Sequence, residues 1–299
     1  MLRWLLLPLL LGGTAPVINA AENVRKATDD LGRVIELEQP AARIVSLAPH
    51  LTEILFELGV GSKVKGTVRY SDYPAAAREI PRLGDAFSLS VESVIALQPD
   101  IVFAWYSGGA NRALQRLEAL GVVVYFNETP RLLDIGAGIR KIAYLVGADE
   151  RGESLAQTFE QRLDSVKREI SSASPRVFFQ ISDQNLYTVT DQHLIGQAIT
   201  WCGGQNVFPD AAVPVPQVSL EAVLASKPDL IVMTRVPASP EPDWAARWRR
   251  YPGLEGQVRF IDPNLISRPG PRMQAGISQL CGFIAERTPS SGAGEGNKI

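Results

Sequence analysis

A stretch that occurs twice constrains this chain more than any other feature. Residues 91–105 read VESVIALQPDIVFAW and residues 220–234 read LEAVLASKPDLIVMT. The copies share Glu92/Glu221, Val94/Val223, Ala96/Ala225, Pro99/Pro228 and Asp100/Asp229. In each, apolar residues three to four apart (Val91, Val94, Ile95; Leu220, Val223, Leu224) predict a short helix. Gln98-Pro99 and Lys227-Pro228 end it, because proline drives its predecessor out of the α region. The runs IVFAW and LIVMT then suit strands covered on both faces. Such a unit twice over predicts two similar α/β lobes; chance likeness of two common helix–strand units is the alternative.

With 299 residues, 45% apolar and 21% charged, the chain is long enough for one large or two ordinary globular domains. A net charge of −2 gives no electrostatic reason to expect nucleic acid. Residues 1–21 carry one early Arg, a short apolar run and small residues before VINAAEN. That is the layout of a secretory signal peptide cleaved near Ala20 or Ala21, so export is expected. A membrane anchor fits less well, since Pro8 and Gly12-Gly13 interrupt a run already short for a span. With no Cys near the cleavage site, a lipid anchor is not expected. Two cysteines remain, Cys202 and Cys281. In an exported protein they favour one disulfide, with two buried free thiols as the alternative.

Strand and helix signals alternate along residues 22–147, with a hairpin near Asp30-Leu31-Gly32 and strands at Ile44–Leu47, Val64–Val68 and Val122–Phe126. Alternation of this kind indicates a parallel sheet flanked by helices. Residues 131–171 hold no strand signal. One helix ends near Gly147, and residues 148–174 read as a long helix linking the lobes. A second α/β lobe covers 175–287. The tail, 288–299, is low in complexity and is expected to be disordered. The expected fold is therefore α/β, with two Rossmann-like lobes and one joining helix.

No catalytic constellation is found, so the chain is not read as an enzyme. The two His, His50 and His193, sit in no metal-ligand pattern, and neither a metal nor a cofactor is expected. His50 is read as an exposed residue of a strand-to-helix loop, with a ligand contact as the alternative. Asn127-Glu128-Thr129 fits the glycosylation pattern by chance. The residues that remain lie on loops at the carboxyl ends of strands: Tyr70, Trp105, Ser107–Gly109 and Arg268. Loop aromatics offer flat apolar contact at little entropy cost; Trp105 closing a sheet edge is the alternative. Glycines ahead of a helix allow close backbone approach and offer free N–H groups. The prolines around Arg268 stiffen its loop, which would aim a guanidinium at an acidic or amide group; a solvated Arg is the alternative.

Taken in order, RIVSLAPHLTEILFELG, YSDYP, the 91–105 unit with its following GG, RVFFQ, WCGGQNVF, VPVPQVSLEAVLASKPD and RPGPR resemble the periplasmic binding proteins of ABC importers for cobalamin and iron chelates, cobalamin binders most closely. The likeness spans roughly Ala41–Ala285. It implies two lobes on one rigid helix and a ligand between them. It also implies ligand-contacting roles for Tyr70, Trp105 and Arg268, with Phe87 and Asn264 at further ligand-binding positions, a Cys202–Cys281 disulfide, and Glu92 and Glu221 as carboxylates, one per lobe, that dock on arginines of the permease. The chain departs from that pattern at several points. Ala86-Phe87 stands for a Trp, Val215 for another cleft aromatic, Ile181 or a neighbour for a Phe, and Asn264 for an acid. A monomer that captures a corrinoid is the leading expectation. A ferric siderophore or haem is the rival within the family, and an exported enzyme or an ectodomain with an empty cleft is the rival outside it.

Overall fold

A computed structural model describes residues 24–288, except Ala86 and Asp183. The expected signal peptide and, beyond Thr288, the expected disordered tail lie outside the described residues. The chain opens with a hairpin, β1 (Arg25–Thr28) antiparallel to β2 (Val34–Leu37). Its turn is built on Asp29, whose Oδ1 accepts from the N–H groups of Leu31 and Arg33, and on Gly32 at φ 81°.

The first lobe follows as β3 (Ile44–Ser46), α1 (Pro49–Glu57), β4 (Val64–Gly66), α2 (Val91–Ala96), β5 (Ile101–Trp105), α3 (Asn111–Ala119) and β6 (Val124–Asn127). Two helices come next, α4 (Asp134–Val146) and α5 (Asp149–Ser165). The second lobe comprises β7 (Arg176–Gln180), α6 (Leu194–Trp201), β8 (Gln205–Asn206), α7 (Leu220–Ser226), β9 (Leu230–Thr234), α8 (Asp243–Trp248), β10 (Val258–Ile261), α9 (Pro263–Ile266) and α10 (Met273–Ala285). The two parallel sheets have the same strand order, β4-β3-β5-β6 and β8-β7-β9-β10. Every strand of one precedes every strand of the other, so the chain passes between them once, through α4 and α5.

The repeated unit supplies α2–β5 and α7–β9, and it is repeated in its bonding as well as its letters. Ser90 caps α2 by accepting from Ser93 N–H, and Ser219 caps α7 by accepting from Ala222 N–H, both at 3.2 Å. Arg43 Nε reaches the Leu97 carbonyl at the end of α2; Arg176 Nε reaches the Ser226 carbonyl at the end of α7. Asp100 N–H donates to the Arg43 carbonyl, and Asp229 N–H to the Arg176 carbonyl, both at 2.8 Å. The residues before the two prolines depart from expectation. Gln98 and Lys227 both take φ 46°, leaving the right-handed region for the left-handed one and not for the extended one. A left-handed residue closes the helix in the manner glycine usually does, and the Arg and Asp contacts hold the turn.

Among the described residues, three apolar clusters form the core. One runs through both lobes and includes Ile44, Tyr125, Ile139, Phe159, Phe179 and Ile277. The others cover the remaining face of each sheet, around Val102 and Phe126 in the first lobe and around Phe178 and Trp248 in the second. Helix α5 packs on α4 and on α10. It ends at Ser165, well short of 174, because the chain beyond it pairs with the second lobe: Arg168 N–H donates to the Trp201 carbonyl, and Ser171 to Ser174 form a closed turn. Cys202 and Cys281 form a disulfide that ties the end of α6 to α10. Among the described residues no helix is long and apolar enough to cross a membrane.

Candidate functional site

A cavity of about 230 Å³ opens at the carboxyl ends of the first lobe's strands. That is where α/β sheets present ligands, since the strand ends and helix starts diverge there. Its lining is mostly apolar and includes Leu47, Pro49, Val68, Tyr70, Phe87, Leu89, Trp105 and Gly108. Tyr70, Phe87 and Trp105, three residues singled out in the sequence, thus share one cavity. They are 67%, 92% and 39% exposed, which core packing does not explain. Phe87 rides on a turn held by Asp85, whose Oδ1 accepts from the N–H groups of Phe87 and Ser88, both at 2.9 Å. Those two donors hold the Asp85 carboxyl below its ordinary range. Gly84, at φ 146°, is required in this turn, because a Cβ there would collide with the Ser88 carbonyl.

Trp105 is the last residue of β5, an interior strand, so it closes no sheet edge. Its indole is gripped on several sides. Nε1–H donates to Glu128 Oε1 at 3.4 Å, while Glu128 Oε2 accepts from Ser107 N–H at 3.0 Å. Gly108 lies against the ring, with no room for a Cβ at ordinary distance. The His50 imidazole meets the indole edge-to-face, with centroids 5.9 Å apart. His50 itself is 3% exposed and belongs to α1, which starts at Pro49. The expectation of an exposed loop residue is therefore corrected: proline at the first helical position extends α1 upstream and turns His50 inward. Its Nε2 is 3.1 Å from Asn127 Oδ1. Burial, with a smaller contribution from the Arg268 charge, lowers its pKa to about 4, against the hydrogen bond to Asn127. The ring is neutral at pH 7. Asn127 Nδ2 and Glu128 N–H both donate to Asp30 Oδ2, and Lys141 pairs with Asp30 Oδ1 at 2.8 Å. The N-terminal hairpin thereby braces the end of β6 beneath Trp105. Asn127 is buried and bonded, in keeping with its glycosylation pattern being chance. Sequence reasoning missed His50, Glu128, Asn127 and Asp30 as supports.

Arg268 and Asn264 come from the second lobe and do not line this cavity. Arg268 is only 12% exposed, so it is not a solvated Arg. Its guanidinium donates to Glu53 Oε1 at 2.6 Å, to Asp72 Oδ1 at 3.2 Å, to the Tyr70 carbonyl at 3.1 Å and to Asn264 Oδ1 at 2.7 Å. Glu53 is 1% exposed and also accepts from Arg272 at 3.1 Å. Burial raises its pKa, and the Arg268 and Arg272 charges oppose that rise. Nothing in the sequence pairs residue 53 with residue 268. Ile181 and Val215, where the sequence departs from the cleft aromatics of the resembled family, are both half-buried. Glu92 and Glu221 stand exposed in the first turns of α2 and α7, the equivalent helices of the two lobes. Glu92 has Arg116 at 3.7 Å. The Glu221 carboxyl is held below its ordinary range by its own N–H and the Ser219 hydroxyl. Among the described residues no group of three His, Cys, Asp or Glu side chains could hold a metal ion.

Residues 44–243 match the family model described as periplasmic binding protein. The Vitamin B12-binding protein of Vibrio cholerae is 33% identical over 247 residues, 82% of this chain and 90% of that one. Its counterpart from Yersinia pestis is 31% identical over 83% of this chain and 88% of its own. The crystal structure of the periplasmic Vitamin B12 binding protein of Vibrio cholerae superposes with a TM-score of 0.75 at 32% identity, covering 84% of this chain and 99% of that one. A periplasmic heme binding protein from Pseudomonas aeruginosa superposes with a TM-score of 0.69 at 26% identity, covering 84% and 94%.

Proposed function

Because the chain belongs to the periplasmic binding protein family, we propose that it captures a corrinoid between its lobes and delivers it to an ABC importer. The family is the non-enzymatic, substrate-binding component of such importers, so its partners are a permease and a small molecule and its setting is the periplasm. The observation that carries the corrinoid reading is the meeting of Tyr70, Phe87 and Trp105 on one cavity, in a chain a third identical to vitamin B12-binding relatives. Flat aromatic rings suit a flat macrocycle, and the braced indole loses little freedom when the ligand arrives. The cavity takes one edge of such a ligand; the rest extends across the cleft, with Asn264 on its polar flank. Signal-peptide removal from residues 1–21 precedes folding, the chain works as a monomer, and α5 is the joint that keeps lobe movement small. Glu92 and Glu221 dock the loaded protein on permease arginines; their exposure on equivalent helices supports this.

A haem is the second reading, favoured by the likeness to the heme binding protein at 26% identity. The experiment is a fluorescence titration of the mature protein with cyanocobalamin, haem and a ferric hydroxamate, corrected for absorption by the ligands. Saturable quenching at sub-micromolar cyanocobalamin and a weaker response to the other two is the expected result. A preference for haem or the iron chelate removes the corrinoid reading and keeps the transport role.

A further inference from the structure

We propose that Arg268 and Glu53 are positioning residues: the second lobe's guanidinium, seated on the first lobe's buried carboxylate, holds the Tyr70–Asp72 loop so that the Tyr70 ring faces the ligand. This rests on the reading of the cavity as the ligand site. Tyr70 is one of four non-glycine residues with a left-handed backbone, at φ 67° among the described residues. Such a conformation is costly for a ring-bearing residue and persists only where neighbours impose it. Three successive carbonyls of this loop each accept from a different arginine. Arg268 takes Tyr70 at 3.1 Å, Arg82 takes Ser71 at 2.9 Å and Arg78 takes Asp72 at 3.2 Å. Arg78 and Arg82 belong to the same lobe as the loop, whereas Arg268 reaches it from the other.

The Arg268 guanidinium is committed on both Nη atoms. It holds Tyr70 by the carbonyl and Asp72 by the carboxylate while seated on Glu53. Glu53 also accepts from Arg272, whose guanidinium lies 3.7 Å over the centre of the Tyr73 ring. The second lobe therefore grips the loop at Tyr70, Asp72 and Tyr73, and the first lobe grips it at Ser71 and Asp72. The planar fork with five N–H groups is what permits this; an ammonium at the same place offers three donors without the fixed spacing. Burial makes Glu53 a strong seat, since an unpaired charge there would be costly. It also means that Glu53 cannot touch a ligand, so any effect of Glu53 on binding passes through Arg268 and the loop.

The test is a double-mutant cycle. Arg268→Lys and Glu53→Gln are made in the wild type and in Tyr70→Gly, where glycine takes the left-handed turn freely. Each protein is titrated with cyanocobalamin, and amide exchange at residues 70–73 is followed by mass spectrometry without ligand. Both substitutions are expected to weaken binding about tenfold and to speed exchange in the loop. With Tyr70→Gly present, neither should weaken binding further by more than about twofold. Equal loss from Arg268→Lys with and without the Tyr70 ring would assign Arg268 to direct ligand contact and overturn the proposal. So would unchanged loop exchange in Glu53→Gln. Should Arg268→Lys fail to fold, Asp72→Asn removes one contact of the same clasp and is expected to act in the same direction; no effect on exchange counts against the proposal. If the wild type ignores cyanocobalamin, the corrinoid reading fails, and the exchange comparison still decides whether the clasp holds the loop.

Discussion

At the scale of single residues, Trp105 carries the clearest expectation. Its ring is exposed to the cavity yet held by Glu128, Gly108 and His50. A preset aromatic gives its contact energy to the ligand without first losing rotamer freedom. Trp105→Ala should weaken corrinoid binding by about 1–3 kcal/mol, read by isothermal titration calorimetry; an unchanged Kd would remove it as an anchor. His50 predicts a pH dependence of stability. Its pKa is about 4 folded against 6.5 in an exposed chain. The unfolded chain therefore binds more protons between those values. The stability at stake, roughly 3 kcal/mol, is fully present above about pH 6.5 and is lost as pH falls toward 4. Burial of His193 acts with the same sign, so the measurement is a difference. Urea midpoints of wild type and His50→Gln should converge as pH is lowered from 7 to 4.5, and parallel curves would refute the assignment.

At the scale of elements, the two copies of the helix–strand unit are close in design but not equal in bonding. Asp100 Oδ2 accepts from Ala42 and Arg43 N–H groups at 2.7 and 2.8 Å. Asp229 Oδ2 accepts from Arg176 N–H alone, at 2.8 Å. The missing bond has a covalent cause, since Pro175 stands where Ala42 stands and has no N–H. Asp100→Ala should accordingly cost about 2 kcal/mol and Asp229→Ala about 1 kcal/mol in urea unfolding. Equal losses would mean that the shared turn geometry, and not these bonds, carries the effect. Much of this level could be read in the chain beforehand: both helices, both strands and the turns between them follow from apolar spacing and Pro-Asp pairs. The left-handed closure at Gln98 and Lys227 could not, because it is held by Arg43 and Arg176, which reach these turns from the start of another strand of each sheet.

At the scale of the molecule, the equal strand orders give each lobe one exposed carboxylate at the same place, Glu92 on α2 and Glu221 on α7. Complementary charge fixes orientation and speeds encounter more than it adds affinity. Reversing both charges, Glu92→Lys with Glu221→Lys, should leave corrinoid affinity within about twofold, since neither residue lines the cavity. Uptake through the cognate permease, followed with radiolabelled ligand in proteoliposomes, should fall to background. Normal uptake would sink the docking assignment. The disulfide also belongs to this scale. It closes a separation of 79 residues, and loop-closure entropy alone gives such a link about 4.5 kcal/mol.

The chain by itself determined the two-lobe α/β plan, the pair of equivalent carboxylates and the loop aromatics. Each rests on local signals: apolar periodicity and turn chemistry act within a few residues and leave their pattern in the sequence. Only the tertiary structure decided what holds the site. His50 meets Asn127 across 77 positions, Asp30 meets Asn127 across 97, and Arg268 meets Glu53 across 215. Those partners are chosen by how the hairpin, α1 and the loop after α9 come together in space. A buried charge or imidazole is stable only where packing delivers its partner, and no spacing along the chain records that delivery.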